Sequence, residues 1–163
     1  MDRKKGVFFI TLLLVVGFDQ ISKIYISSTM SLHASHPVID GFFNITYVRN
    51  PGAAFGFLTS ATPLFRSVFL IAVSAAAIVM ILYFLTKNRS AGMLLTFALS
   101  LIVGGAAGNL LDRLRFGNVV DFLDFYIASY HWPAFNVADS AISVGAVLLI
   151  VEMFRKKSGS LRQ

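Results

Sequence analysis

The sequence predicts a membrane protein: an all-α bundle of four transmembrane helices with a small extracytoplasmic β element. Three observations carry this expectation. The chain is 56% hydrophobic and 13% charged, with a mean hydropathy of +0.75, whereas a soluble domain carries about a quarter charged residues. Four apolar segments each approach the roughly 20 residues needed to cross a bilayer core. A run of β-formers lies between the first two of them. A soluble single-domain enzyme is excluded, because so few polar groups do not cover an ordinary globular surface. The 163 residues are expected to form one integral membrane domain.

The first span runs from about Val7 to Ile26. Arg3, Lys4 and Lys5 followed by an apolar run look like a signal peptide. No small-residue cleavage site follows, and the run continues past Asp19, so the segment is expected to be a retained span. Residues 27–63 then lie outside. Within them Phe42-Phe43-Asn44-Ile45-Thr46-Tyr47-Val48 predicts a short strand or hairpin. Asn50-Pro51-Gly52 marks a turn. The second span covers Leu64 to Leu85 and the third Met93 to Leu111. Helices are expected throughout, because lipid offers no partners for backbone polar groups. A second outer region, 112–134, holds Phe122, Phe125, Tyr126, Tyr130 and Trp132. These aromatics form either an interfacial belt, the simpler reading, or part of a substrate groove. The fourth span runs from Phe135 to Phe154.

Nine of the 14 Lys and Arg residues fall on one side: Arg3, Lys4, Lys5, Lys87, Arg89, Arg155, Lys156, Lys157 and Arg162. The positive-inside rule makes that side cytoplasmic, so both termini face the cytoplasm. The net charge of +6 is thus a topology signal that also suits anionic lipid. No nucleic-acid binding is expected, since no RNA- or DNA-binding module is recognisable. The chain has no cysteine, which excludes disulfides and thiolate chemistry.

With that orientation the polar residues stack at one level, the outer membrane–water boundary. Asp19 and Lys23 lie in the outer half of span one, four residues apart on one helix face. Asn109, Asp112 and Arg113 close span three, and Asp121 lies in the loop feeding span four. Asn136 and Asp139 open span four, about 6 Å below the boundary at 1.5 Å per residue. Plainer roles exist for several. Asp19 and Lys23 pair across one turn; Asp112 and Arg113 anchor an interface; Asn136 caps a helix. Asp124 reads as an ordinary loop acid. Asp121 and Asp139 have apolar neighbours, and burying a carboxylate there costs several kcal/mol unless it is paired or protonated. Gly104-Gly105-Ala106-Ala107-Gly108 puts small residues on one face of span three, as close helix packing requires.

The inventory narrows the chemistry. There is no G-x-S-x-G, and the histidines, His33, His36 and His131, are all in outer loops. The only glutamate, Glu152, is at the cytoplasmic end, far from any zinc-protease pattern. No Gly-rich phosphate loop occurs. Carboxylate chemistry remains. Of two neighbouring carboxyls at low dielectric, one keeps a proton and the other stays charged. Such a pair activates water and protonates a leaving amine. Asp121 and Asp139 are the best-placed pair. Two other classes stay open at this point: a proton- or ion-coupled transporter using the same aspartates, and a structural membrane subunit. A transporter would carry polar residues through the whole membrane thickness, whereas spans two and four are almost uniformly apolar.

Five motifs in order resemble the lipoprotein signal peptidase family, the type II signal peptidases of bacteria. They are Asp19-Gln20-Ile21-Ser22-Lys23; Asn50-Pro51-Gly52-Ala53-Ala54-Phe55; Gly104 through Arg113; Gly117-Asn118-Val119-Val120-Asp121-Phe122; and Phe135-Asn136-Val137-Ala138-Asp139-Ser140. The resemblance covers nearly the whole chain. It implies an aspartyl endopeptidase of the cytoplasmic (inner) membrane with its site facing the extracytoplasmic side. The implied substrate is a prolipoprotein whose cysteine carries a diacylglyceryl group, cut just before that cysteine. By the family's motifs the dyad falls on Asp121 and Asp139. Asn50, Asn109, Arg113 and Asn136 match polar residues around the site, with Gly52 in the same motif as Asn50. Asp19 and Lys23 match a supporting pair, and the region 27–63 matches a small sheet that cradles substrate. No metal or other cofactor is implied, and a monomer in contact with membrane lipid is expected.

Overall fold

A computed structural model of the chain describes residues 3–52, 61–88 and 90–160, the stretch 156–160 by its backbone. Ala53, Ala54 and Phe55 of the second motif, with Arg89 and Arg162, lie outside the described residues. Four helices are each long and apolar enough to cross a membrane: α1 (Arg3–Thr29), α2 (Pro63–Lys87), α3 (Met93–Phe116) and α4 (Val137–Ser160). Four strands accompany them: β1 (Ser35–Ile39), β2 (Phe43–Asn50), β3 (Val119–Ile127) and β4 (Tyr130–His131). The architecture is thus the expected four-helix bundle with a small β element.

The β element is larger than the sequence suggested. β1 and β2 form the hairpin expected around Phe42–Val48. The second region supplies β3 and β4, giving an antiparallel sheet ordered β1-β2-β3-β4. The aromatic content of that region hid the strand: Val119-Val120-Asp121-Phe122 alternates poorly because β3 begins buried on both faces. Val48 stands opposite Asp121 and Asn50 opposite Val119, with a bulge between Ile45 and Val48 that bends β2.

α3 is the centre of the bundle. α1, α2 and α4 all pack against it, and α1 also touches α4. Half of its 24 residues are buried, whereas α2 buries none. Leu64, Met80, Val147 and Met153 stand open on the outer faces of α2 and α4, the pattern of helices solvated by lipid rather than water. A buried cluster of Ile26, Tyr47, Val120 and Phe122 joins the end of α1 to the sheet.

Local chemistry sets the helix ends. Thr62 caps α2, accepting from the Phe65 amide at 3.3 Å, with Pro63 in the first turn. α3 continues five residues beyond Leu111 and stops at Gly117, whose amide donates to the Arg113 carbonyl at 2.9 Å. Asp112 and Arg113 therefore belong to the helix. Gly108 permits a close crossing: a β-carbon there would stand 2.5 Å from an Asp19 carboxylate oxygen and 3.4 Å from Ala138. The small-residue face of α3 thus brings α1 and α4 together beneath the sheet.

Candidate active site

The segment Asn136-Val137-Ala138-Asp139 organises the start of α4. The Asn136 side-chain oxygen accepts from the Asp139 amide at 2.9 Å, and an Asp139 carboxylate oxygen accepts from the Asn136 amide at 3.3 Å. This reciprocal capping box satisfies two amide donors and fixes Asp139 in the first turn. The capping role expected for Asn136 is present, and the residue has a further one. Its Nδ2 donates to Asp121 Oδ1 at 2.7 Å and lies 3.3 Å from the Val120 carbonyl. A single asparagine thus bridges the two aspartates.

Each carboxylate receives two N–H donors. Asp121 Oδ2 accepts from Asn50 Nδ2 at 2.8 Å, across the β2–β3 pair. The Gly52 amide donates to Asn50 Oδ1 at 2.7 Å, which turns the Asn50 amide group toward Asp121. Gly52 has a φ of +96°, a conformation that favours glycine. Asp139 Oδ1 accepts from Asn109 Nδ2 at 2.7 Å. Asp121 is 2% exposed, whereas Asp139 is partly open. Burial pushes the Asp121 carboxyl up to about 7; the Asn50 hydrogen bond opposes this, and the charge of Asp139 adds to it. Burial therefore favours the protonated form of Asp121 over the charged one more than in an exposed carboxyl. Arg113 lies within electrostatic reach of Asp139, Asp121 and Asp112, and its Nη1 is 3.4 Å from the Asn109 carbonyl.

A buried ion cluster supports this layer. Lys23 Nζ lies 2.8 Å from Asp19, 3.1 Å from Asp112 and 2.9 Å from Asn109 Oδ1. All three ammonium protons therefore have acceptors. Asp19 Oδ1 accepts from the Ala138 amide at 2.9 Å, and so places negative charge at the N-terminus of α4. Asp112 Oδ2 accepts from the Val120 amide at 3.2 Å. The two acids thus grip the residue before Asp139 and the residue before Asp121. Gln20 Nε2 lies between them, 3.1 Å from Asp19 and 3.0 Å from Asp112.

Every residue singled out from the sequence falls in or beside this cluster: Asp19, Lys23, Asn50, Gly52, Asn109, Arg113, Asp121, Asn136 and Asp139. Two readings change. Asp112 is not an interface anchor with Arg113; it is 2% exposed and pairs with Lys23. Asp124 is no ordinary loop acid; it is 7% exposed, takes a hydrogen bond from Asn44 at 2.9 Å, and has His131 Nδ1 2.8 Å from its Oδ1. Gln20 was missed, although its place beside Asp19 in the first motif was the available signal. The aromatics divide: Phe125 stacks on Phe43 and Phe135, whereas Tyr130 and Trp132 are exposed. Among the described residues no group of three His, Cys, Asp or Glu is placed to hold a metal ion.

Comparison with known proteins places this architecture. The family described as signal peptidase (SPase) II matches residues 11–155. A lipoprotein signal peptidase of Syntrophus aciditrophicus (strain SB) is 55% identical over 157 residues, covering 96% of this chain and 98% of its own. One from Geobacter sulfurreducens is 53% identical over 139 residues, covering 85% and 86%. A bacterial membrane enzyme solved by the in meso method at 2.3 Å superposes with a TM-score of 0.84 and 36% identity, covering 94% of this chain and 91% of that one. Shared length, sequence and fold lead to one assignment: the chain belongs to the signal peptidase II family.

Proposed function

We propose that the chain is an aspartyl endopeptidase that cuts diacylglyceryl-modified prolipoproteins just before the lipidated cysteine, with Asp121 and Asp139 as its catalytic pair. Family membership already makes it a multi-pass lipoprotein signal peptidase of the bacterial inner membrane. The observation that carries the finer reading is the bridge through Asn136, whose side-chain Nδ2 donates to the Asp121 carboxylate and whose backbone amide donates to the Asp139 carboxylate.

In this reading the pair shares one proton. The charged carboxylate takes a proton from water as the water oxygen bonds to the scissile carbonyl carbon. The protonated carboxyl hydrogen-bonds the carbonyl oxygen as it gains negative charge. Collapse of the tetrahedral intermediate breaks the C–N bond, and a carboxyl proton passes to the leaving amine of the cysteine. Asn50, Asn109 and Asn136 hold the carboxyls still, with Gly52 orienting Asn50. Arg113 offers positive charge to the developing oxyanion, and Asp19 with Lys23 supports from beneath. The sheet faces the extracytoplasmic side, both termini face the cytoplasm, and the protein acts as a monomer. Signal helix and acyl chains lie against the open apolar faces of α2 and α4. Family membership does not favour the transporter reading, and the site residues cluster at the sheet end.

A cleavage assay in detergent tests this. Purified wild type should cut a diacylglyceryl-modified prolipoprotein, leave the unmodified precursor intact and ignore a chelator. Asp121→Asn and Asp139→Asn should each lower kcat by about 10³-fold or more while remaining folded. Substantial turnover by either folded variant would remove that aspartate from the dyad.

A further inference from the structure

The end of β2 carries a donor to Asp121 on a short stretch of ladder. A bulge between Ile45 and Val48 interrupts the pairing on one side, and the strand ends before Pro51 on the other. Between them Val48, Arg49 and Asn50 stand opposite Asp121, Val120 and Val119. A slip of one residue would carry Asn50 to the other face of the sheet, away from the Asp121 carboxylate.

Arg49 is anchored on that other face. Successive strand residues point to opposite sides, so Arg49 shares a side with Tyr47 and turns away from Asn50. Its Nε donates to the Tyr47 hydroxyl at 2.7 Å, and its Nη1 donates to Asn118 Oδ1 at 3.2 Å. The guanidinium carbon stands 5.4 Å from the centre of the Tyr47 ring and 5.0 Å from that of Phe116. Tyr47 itself is buried in the cluster that joins α1 to the sheet. Asn118 Nδ2 donates to the Phe116 carbonyl at 3.1 Å, which leaves its oxygen for Arg49. The guanidinium thus ties β2 to the end of α3 and the start of β3, and places positive charge at the C-terminus of α3. None of these partners is charged. Shape holds the arginine, through two N–H groups of a planar fork and two ring faces.

We propose that Arg49 is a positioning residue of the peptidase: its fork fixes the register at the end of β2 and so delivers Asn50 Nδ2 to Asp121. It acts through the backbone and touches neither aspartate. Its effect on rate rests on the Asp121–Asp139 reading; its effect on the Asp121 carboxyl does not.

Two measurements on the full chain in detergent test this. One is cleavage of a diacylglyceryl-modified prolipoprotein. The other is the titration of the Asp121 carboxyl, followed by its infrared band and assigned with Asp121→Asn. The Asn50 hydrogen bond holds that carboxyl down against burial. Arg49→Met should therefore shift the titration to higher pH, as Asn50→Ala does, and lower kcat by roughly ten- to a hundredfold. Arg49→Met combined with Asn50→Ala should show no more of either effect than Asn50→Ala alone, a non-additivity that a general loss of stability would not produce. Arg49→Lys, which keeps the charge but not the fork, should behave as Arg49→Met. Asn118→Ala, which keeps the arginine but removes one anchor, should shift the titration in the same direction. An unshifted titration in Arg49→Met overturns the proposal, as does one in Asn118→Ala should Arg49→Met not fold. So do effects of Arg49→Met and Asn50→Ala that multiply, or wild-type titration and rate in Arg49→Lys. A shifted titration with undiminished kcat in both Arg49→Met and Asn50→Ala would keep Arg49 as the support of Asn50 and sink the dyad reading instead.

Discussion

Lys23 Nζ donates to Asn109 Oδ1 at 2.9 Å, and this bond decides which way the Asn109 amide faces. An ammonium only donates, so the amide oxygen must point to it, and the amide nitrogen is left for Asp139 Oδ1. The buried ion cluster thereby controls a donor to the candidate dyad without touching the dyad itself.

Lys23→Met tests that link. It leaves Asp19 and Asp112 buried without their cation, and breaking such a pair costs about 3–5 kcal/mol. The unfolding midpoint in detergent should fall sharply, and residual activity should show a displaced pH profile as Asn109 becomes free to turn. A midpoint near the wild-type value would mean the cluster is less dehydrated than its 3%, 0% and 2% exposures indicate for Lys23, Asp19 and Asp112.

Asn136 combines a structural and a positioning function that two substitutions separate. Asn136→Ala removes the cap and should lose about 1 kcal/mol or more of stability. Asn136→Ser keeps a capping oxygen but loses the Nδ2 donor to Asp121. The serine variant should unfold within about 0.5 kcal/mol of wild type, yet show a clearly lower kcat. Equal losses of stability and rate in both would reduce Asn136 to a cap.

Gly108→Ala should be poorly tolerated. The added methyl lies 2.5 Å from an Asp19 carboxylate oxygen that Lys23 and Gln20 already hold, so it cannot move aside cheaply. Overpacking of this kind costs about 1–3 kcal/mol. Thermal unfolding in detergent measures it, and a neutral result would show that α1 and α3 slide apart freely.

Asp121 gives stability a defined pH dependence. Its folded value of about 7 lies above the ordinary carboxylate value of 3.8. The folded state therefore binds the proton more tightly, and this group's favourable contribution is lost as pH rises from about 4 through 7. Unfolding midpoints across that window should decline more in wild type than in Asp121→Asn. Parallel curves would contradict the raised value.

Much of the fold was legible because hydropathy belongs to a segment by itself. Four runs of about 20 apolar residues suffice to set four helices whatever their neighbours do. The cap at Asn136, the turn at Gly52 and the Asp19–Lys23 pair are likewise local, their partners within four residues. The level at which the polar residues collect followed from counting along those segments.

The third dimension decided which of those residues touch. The Ala138 amide reaches Asp19 across 119 residues, Lys23 reaches Asn109 across 86, and Asn50 reaches Asp121 across 71. These meetings depend on helix rotation about α3 and on the β2–β3 register, neither of which leaves a periodic mark in sequence. The same holds for Asp112 and Asp124, whose burial comes from packing against other elements. Composition and spacing predicted a four-span membrane protein with most of its acids toward one end of the spans. Only tertiary packing turned those acids into one pair bridged by Asn136 and another neutralised by Lys23, because a carboxylate's role is set by the donors around it and those come from distant parts of the chain.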